Sequence, residues 1–385
     1  MKTTKNHLNV LIIGGGLAGL SCAIKLSQMG HRVKLWEKDS TIKRKVCGEY
    51  LSPLGVECAK ALGHEELFSG FEPIYGMNLT APNNCLIETD FPKSYGLSLN
   101  RQEFENRLMA KALSMNIEII RGEIIKEINP EGNGWIINGH HGDLLIGADG
   151  RQSLVAKTLK LQKKSSQKKV ALHIYIKRQS DFQRRGEMII LGRAGYIGIN
   201  PISENEDNLS WVGDQEVFKT WKNKDDLIKE MLKHPRLKKL YGSNPQYGEI
   251  TSVAKVSQHV SGMVTHNAAL IGDAAGFIDP LTGEGMTRAF ESTLLLSHAL
   301  ENHQNLALSL KAYQREKKKV TNDKNRLNTI FQFIIKNTAI SNFVGFFLAE
   351  NRRRADIFIG IIGNVYTPLI GLKKMFLDTT PRSSL

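Results

Sequence analysis

The stretch Gly272-Asp273-Ala274-Ala275-Gly276-Phe277-Ile278-Asp279-Pro280-Leu281-Thr282-Gly283-Glu284-Gly285 follows a short apolar run, Ala268-Ala269-Leu270-Ile271, and leads into a helical pattern reaching about Asn302. It reads as buried strand, loop, helix. A carboxylate at Asp273, set at the end of a buried strand among small residues, can accept a hydrogen bond from a sugar-like chain. The glycines of Thr282-Gly283-Glu284-Gly285 let backbone N–H groups approach a ligand. The helix that opens at Gly285-Met286 aims the positive end of its dipole the same way. Taken alone, this is also what an ordinary helix-entry loop looks like.

Two earlier glycine signals change its meaning. Near the N-terminus, Val10-Leu11-Ile12-Ile13 runs into Gly14-Gly15-Gly16-Leu17-Ala18-Gly19, a G-x-G-x-x-G pattern. Gly14 permits a tight turn, Gly16 lets the backbone approach a pyrophosphate, and Gly19 lets helix and strand pack closely. Small residues Ala18 and Ala23 face the strand, and helical periodicity runs from Leu17 to Met29. The next strand pattern, Val33 to Trp36, ends on Glu37, roughly twenty residues beyond the glycines, where a carboxylate can bind an adenosine ribose. Lys38 follows it at the same end of the site. Glutamate there argues against a 2′-phosphate. In mid-chain, Gly147-Ala148-Asp149-Gly150-Arg151 follows another buried run, Leu144-Leu145-Ile146. An aspartate in such a turn often bonds only its own backbone, but two glycine-flanked aspartates after buried strands can converge on one molecule. Three signals in this order indicate one long dinucleotide, FAD, held without a covalent link by segments far apart in sequence. Flavin reduction places negative charge near its pyrimidine ring, which fixed N–H donors and a helix dipole stabilise. Arg101 opens a helix after Asn100, with Glu103 at the capping-box position. It is either a surface arginine or a cation near the FAD phosphates or ribose.

Between these signals the texture changes. From about Lys168 to Val260 apolar and polar residues alternate, as in a sheet with one ligand-facing side, interrupted by one basic helical insert from about Asp225 to Leu240. After Lys311 the pattern is helical. The expected fold is therefore α/β. A discontinuous Rossmann-type FAD-binding domain takes residues 1–70, 98–165 and 262–310. A mainly antiparallel β-sheet substrate domain takes 71–97 and 166–261, and a helical C-terminal region takes 311–385. No second complete G-x-G-x-x-G is present, so the reductant is expected to be NAD(P)H bound transiently or a protein electron donor.

Composition excludes several classes. The 385 residues are 41% hydrophobic, enough for large buried cores. Four cysteines (Cys22, Cys47, Cys58, Cys85) show no paired spacing, which argues against a disulfide framework or a metal site and points to the cytoplasm. The net charge of +14 is spread in short clusters such as Lys317-Lys318-Lys319 and Arg352-Arg353-Arg354. These are a solvated surface or an attraction to anionic lipid or a diphosphate-bearing substrate. They are not interleaved with aromatics, so nucleic acid is not expected. Ile330 to Ala349 carries Gln332, Lys336, Asn337 and Asn342, and Pro368 interrupts Ile357 to Leu372. Both are poor bilayer spans, and peripheral association with an anionic membrane fits them better.

The three signals with Arg101 resemble the flavoprotein superfamily of the para-hydroxybenzoate-hydroxylase-like monooxygenases and the geranylgeranyl reductases. The likeness spans roughly residues 8 to 310. Lys45-Val46-Cys47-Gly48-Glu49 resembles the K-x-C-G motif of the reductase branch, and residues 272–285 resemble its late FAD loop. That resemblance implies FAD-dependent oxidoreduction of a hydrophobic, isoprenoid- or polyketide-like small molecule, with reduction of a carbon–carbon double bond. It also implies Cys47 beside the flavin ring, although a cysteine is equally a small buried hydrophobe. Glu49 is then a proton donor or a helix-start carboxylate. The branch's aromatic Y-x-W-x-F-P strand corresponds to Tyr196-Ile197-Gly198-Ile199-Asn200-Pro201, which keeps the tyrosine, a candidate catalytic group, and the proline but has glycine in place of tryptophan. The alternative reading is a monooxygenase that hydroxylates an apolar or aromatic substrate. A third is a non-catalytic, membrane-associated flavin-binding protein.

Overall fold

The computed structural model describes residues 7–163, 169–219, 221, 223–254, 258–276 and 285–377. Asn9–Ile13 is the strand at the centre of a six-stranded sheet. It pairs in parallel with Arg32–Glu37 on one side and Leu144–Gly147 on the other. Glu118–Arg121 extends the sheet beyond Arg32–Glu37, and Ala268–Leu270 extends it beyond Leu144–Gly147, both in parallel. The antiparallel strand Val264–Thr265 closes that edge. The strands that precede the three glycine signals are thus neighbours, although Ile13 and Leu270, in register through Gly147, are 257 positions apart in sequence. Their near-continuous apolar runs follow from burial on both faces. Helices Leu17–Gln28, Arg101–Ser114 and Gly285–Asn302 pack there, and Phe104 and Phe290 meet edge to face at 6.0 Å in the shared core. Asn100 caps its helix as its sequence suggests, with its side chain accepting from the Glu103 N–H at 3.0 Å.

A seven-stranded sheet carries the second layer. Lys169–Lys177, Glu206–Asp214, Tyr196–Ser203 and Arg185–Ile190 are antiparallel neighbours, Thr251–Ala254 adds to one edge, and the hairpin Gly76–Thr80/Leu86–Asp90 adds to the other. Its two faces differ as strand alternation demands. One face presents Leu172, Ile174, Ile189, Ile197, Leu209 and Trp211 to a small helical core. The other presents Ala171, Met188, Tyr196 and Val212 toward the nucleotide layer and the C-terminal helices. A three-stranded sheet (Tyr50–Leu51, Gly96–Ser98, Glu72–Ile74) links the layers.

One helical expectation changes. The single basic insert is two helices, Lys224–Met231 and Pro235–Tyr241. Pro235 lacks an N–H and is favoured at a first helical position, so it starts a new helix rather than continuing the old one. The apolar C-terminal stretches are also divided. Leu306–Lys336 and Thr338–Ala349 meet at a 105° bend at Asn337, which caps the second helix. Arg352–Ile362 and Pro368–Leu377 are separated by a turn in which Asn364 has φ of 61°. Among the described residues no single helix is long and apolar enough to cross a membrane.

Candidate active site

A cavity of about 620 Å³ runs between the two layers, within the ~300–1,000 Å³ typical of ligand sites. Its nucleotide side is set by backbone. Gly14 has φ of +108°, and a Cβ there would lie 2.4 Å from the Ala148 carbonyl oxygen. A Cβ on Gly19 would lie 1.8 Å from the Gly14 oxygen, so the first turn and the helix touch at closest approach. The first and second glycine signals therefore interlock. Gly16, at the N-terminus of Leu17–Gln28, faces open space bounded by Lys45 Nζ at 3.5 Å from its Cβ position. Ala18 lines the cavity on the first turn of that helix, with Gly16 just before it.

Glu37 and Lys38 stand at one end of the cavity. Glu37 accepts hydrogen bonds from the Gly15 N–H at 2.7 Å and the Asp39 N–H at 3.0 Å. Its carboxylate ties the second strand to the glycine turn and keeps lone pairs for a further donor. Arg101 and Lys45 reach the cavity beside Gly16. Both are held by the buried Glu105, whose oxygens accept from Arg101 Nε at 2.9 Å and Lys45 Nζ at 3.0 Å. Burial opposes the Glu105 charge, yet Arg101 and Lys45 outweigh it and hold the carboxyl below its ordinary range. Two cations beside a helix N-terminus make an anion site for a diphosphate. Sequence reading put Arg101 here but missed Lys45 in this role. It did not single out Glu105 either, although the four-residue spacing from Arg101 on one helix face is the signal that could have found it.

Asp149 and Gly150 also line the cavity. The Asp149 carboxylate accepts from Ser153 Oγ at 2.5 Å and from the Val155 N–H at 3.1 Å. It spends itself on local structure, organising the turn into Leu154–Thr158. Asp273 differs. Its Oδ1 is buried and makes no hydrogen bond among the described residues, and burial pushes its carboxyl up against the pull of Arg101 and Arg151. Ser292 Oγ accepts from the Gly272 N–H at 2.8 Å and fixes the approach to Asp273, while Gly272 itself has φ of +57°. Gly285 and Met286 line the same end. Pro280, Thr282 and Gly283 lie outside the described residues.

The Lys45–Glu49 segment crosses between the layers. Cys47 lines the cavity, and its Sγ accepts from the Glu49 N–H at 3.4 Å. Burial, opposed by Arg101, raises the thiol above its ordinary range, so it stays protonated. Glu49 is not among the cavity-lining residues. It is buried, with φ of 51°, a strained value for a side-chain-bearing residue. Its Oε1 accepts from the Arg101 N–H at 3.1 Å, and its Oε2 accepts from Tyr175 Oη at 2.6 Å and Asn208 Nδ2 at 3.0 Å. The helix that follows Glu49, Pro53–Ala61, is capped by Ser52; Glu49 instead accepts at the start of Arg101–Ser114 and ties that helix to the seven-stranded sheet. Tyr175 carries the Arg44 guanidinium on its ring at 3.5 Å and the His173 ring at 4.8 Å. Burial, then Arg44, keeps His173 neutral down to about 4.

The sheet side of the cavity is mainly apolar. Met77, Met188, Tyr196, Val212 and Val253 form most of it, with Ile362 from a C-terminal helix, and Asn200 and Ser210 are its polar members. Gly198 sits among them, and a Cβ there would meet nothing within 4 Å, so the glycine leaves room where a side chain would fill it. Glu187 touches this wall, but its carboxylate turns to Arg236 on the sheet's other face, with Oε2 accepting from Nη2 at 3.0 Å.

An elongated cavity fits FAD when it has a ribose-side carboxylate, a glycine turn at a helix start with two cations, and an unsatisfied buried carboxylate near a second helix start. Residues 7–325 match the model of the family described as FAD binding domain. The chain belongs to that family. It is an FAD-dependent oxidoreductase, a member of a superfamily of monooxygenase- and halogenase-like flavoproteins. AqdB1 of Rhodococcus erythropolis, named for 2-heptyl-3-hydroxy-4(1H)-quinolone synthesis, is 25% identical over 334 residues, 80% of this chain and 84% of that protein. Digeranylgeranylglycerophospholipid reductase 3 of Methanosphaera stadtmanae is 24% identical over 313 residues, 75% of this chain and 76% of its own length. The flavin-dependent brominase Bmp2 shares the fold, with a TM-score of 0.79 at 20% identity over 96% of this chain and 98% of that one. The FAD-binding family is broader than the geranylgeranyl reductase branch whose motifs the sequence resembles.

Proposed function

We propose that this family member is a monooxygenase acting on an apolar small molecule, reduced by NAD(P)H that binds transiently. The observation that carries the reading is the sheet wall of the cavity. Met77, Met188, Val212, Val253 and Ile362 face it, and Glu187, the one charged residue among the described residues that touches this wall, is committed to Arg236. Such a wall binds and orients a hydrophobic substrate and excludes water, and it offers no ionised group to the substrate. FAD, when bound, supplies the two-electron chemistry and the activation of oxygen. Arg101 and Lys45 would neutralise the diphosphate, Asp273 would accept from a hydroxyl of the cofactor, and the helix that begins at Gly285 would offer its N-terminus to negative charge on the reduced flavin. AqdB1, named for a hydroxyl-bearing product, supports oxygenation.

A second reading, reduction of a carbon–carbon double bond, is favoured by one observation. The thiol of Cys47 faces the cavity and is kept protonated, so it can donate a proton to carbon. The Methanosphaera reductase supports it from a distance.

Apolar material that co-purifies with the protein, incubated with NADPH under isotopically heavy dioxygen, separates the two. A product carrying one heavy oxygen atom is expected. A product that gains two hydrogens without oxygen, and is lost in Cys47→Ala, would replace oxygenation by reduction.

A further inference from the structure

The helix Thr338–Ala349 is apolar on two opposite faces. Val344, Gly345 and Leu348 point inward and line a second cavity of about 40 Å³ between this helix, the end of Leu306–Lys336 and the Gly76–Thr80/Leu86–Asp90 hairpin. A Cβ on Gly345 would lie 2.8 Å from Ala81 Cβ, so the helix rests directly on the sheet. Ser341, the one polar side chain in that lining, donates to the Ile334 carbonyl at 2.6 Å. Met188 and Ile362 line this cavity and the large one alike. The small cavity, lined by apolar side chains apart from Ser341, adjoins the substrate side at Met188 and Ile362.

The outward face carries Phe343 and Phe346, which are 70% and 61% exposed. Phe333, on the preceding helix, is 63% exposed. Large apolar side chains grouped like this on a soluble surface mark a contact. The charge beside them is positive. Arg354 lays its guanidinium over the Phe347 ring at 4.6 Å, next to Phe346 on the same helix. From residue 338 to 377 the chain has five basic and two acidic residues. Aromatics set among arginines suit the boundary between acyl chains and anionic headgroups.

We propose that the outer face of Thr338–Ala349 docks on an anionic lipid surface. The helix is then a partition one helix thick between the bilayer and the apolar end of the active-site cavity. The proposal does not depend on which reaction the flavin performs.

Flotation of the flavin-loaded full chain tests it, with vesicles of phosphatidylcholine alone and of phosphatidylcholine mixed with phosphatidylglycerol. The wild type is expected to float with the mixed vesicles at low salt, at least about tenfold more than with phosphatidylcholine alone. Phe343→Ser with Phe346→Ser should stay at the bottom with both while keeping its yellow flavin. Arg353→Glu with Arg354→Glu should lose the preference for the mixed vesicles. A wild type that does not float with the mixed vesicles overturns the proposal. So does flotation unchanged by the phenylalanine pair. A wild-type dimer that the pair dissociates overturns it as well, because a second copy would then cover the face.

Discussion

The two sides of the large cavity are built by opposite means. The nucleotide side is backbone held at closest approach. Gly14 leaves no space for a Cβ against Ala148, and Gly19 leaves none against Gly14; Glu37 ties the second strand to the first turn, Glu105 holds Arg101 and Lys45, and Asp149 organises its own turn. The sheet side is side chains around open space, and at Gly198 the space is left unfilled. A cofactor common to many enzymes needs one fixed cradle, while a particular substrate needs a shape. The contrast says where substitutions abolish the holoenzyme and where they only alter what it accepts.

The strongest test of that contrast is Gly19→Val. Its side chain has no room against the Gly14 oxygen, so a loss of about 4 kcal/mol or more is expected, with flavin absent from the purified protein by absorbance and a lower melting temperature. A variant that binds flavin normally would break the comparison.

Acid titration compares the regions through one buried histidine in each. Burial, then Lys111, lowers His64 on the nucleotide side to about 4, and burial, then Arg44, lowers His173 on the sheet side to about 4. For a depressed histidine the folded state resists protonation. The stability it contributes is complete above the unfolded value near 6.5 and is lost as pH falls through about 4. Each accounts for about 3 kcal/mol at most. Denaturant melts from pH 7 to pH 4 should show a slope that is shallower in His64→Phe and in His173→Phe. Equal reductions mean that the two regions unfold together. A reduction in one variant alone means that they melt separately.

Glu49→Ala should cost about 3 kcal/mol, because it leaves Tyr175, Asn208 and the start of the Arg101–Ser114 helix without their shared acceptor. Flavin affinity and substrate turnover should fall together, since this residue joins the sides. A variant with wild-type stability would remove the link. The smallest effect on the fold is expected at Gly198→Leu. Flavin content and melting temperature should match the wild type, while product formation drops about tenfold or more because the open space is filled. Loss of flavin there would mean that the sheet side also belongs to the cradle.

Legibility followed the same division. The glycine turns, Asn100 as a helix cap, the three buried strands and Arg101 were readable because each depends on residues near it in sequence. Lys45 as a second cation was not, because it reaches Glu105 across sixty residues of chain. Asp149 and Asp273 look alike as glycine-flanked carboxylates. Only their surroundings show that one is spent on Ser153 and Val155 while the other keeps an oxygen without a partner among the described residues. Glu49 reads as a helix-start carboxylate from its position, but its bonds to Tyr175 and Asn208 lie 126 and 159 residues away.

The order of apolar runs and glycines determined by itself that this chain closes a parallel sheet around a dinucleotide, since turn geometry and strand burial are local demands. Folding alone decided what fills the rest of the cavity. Which side chains face Gly198, and which helix covers Met188 and Ile362, depends on strand register and on helices packed from the far end of the chain, and contacts of that range leave no pattern in neighbouring residues.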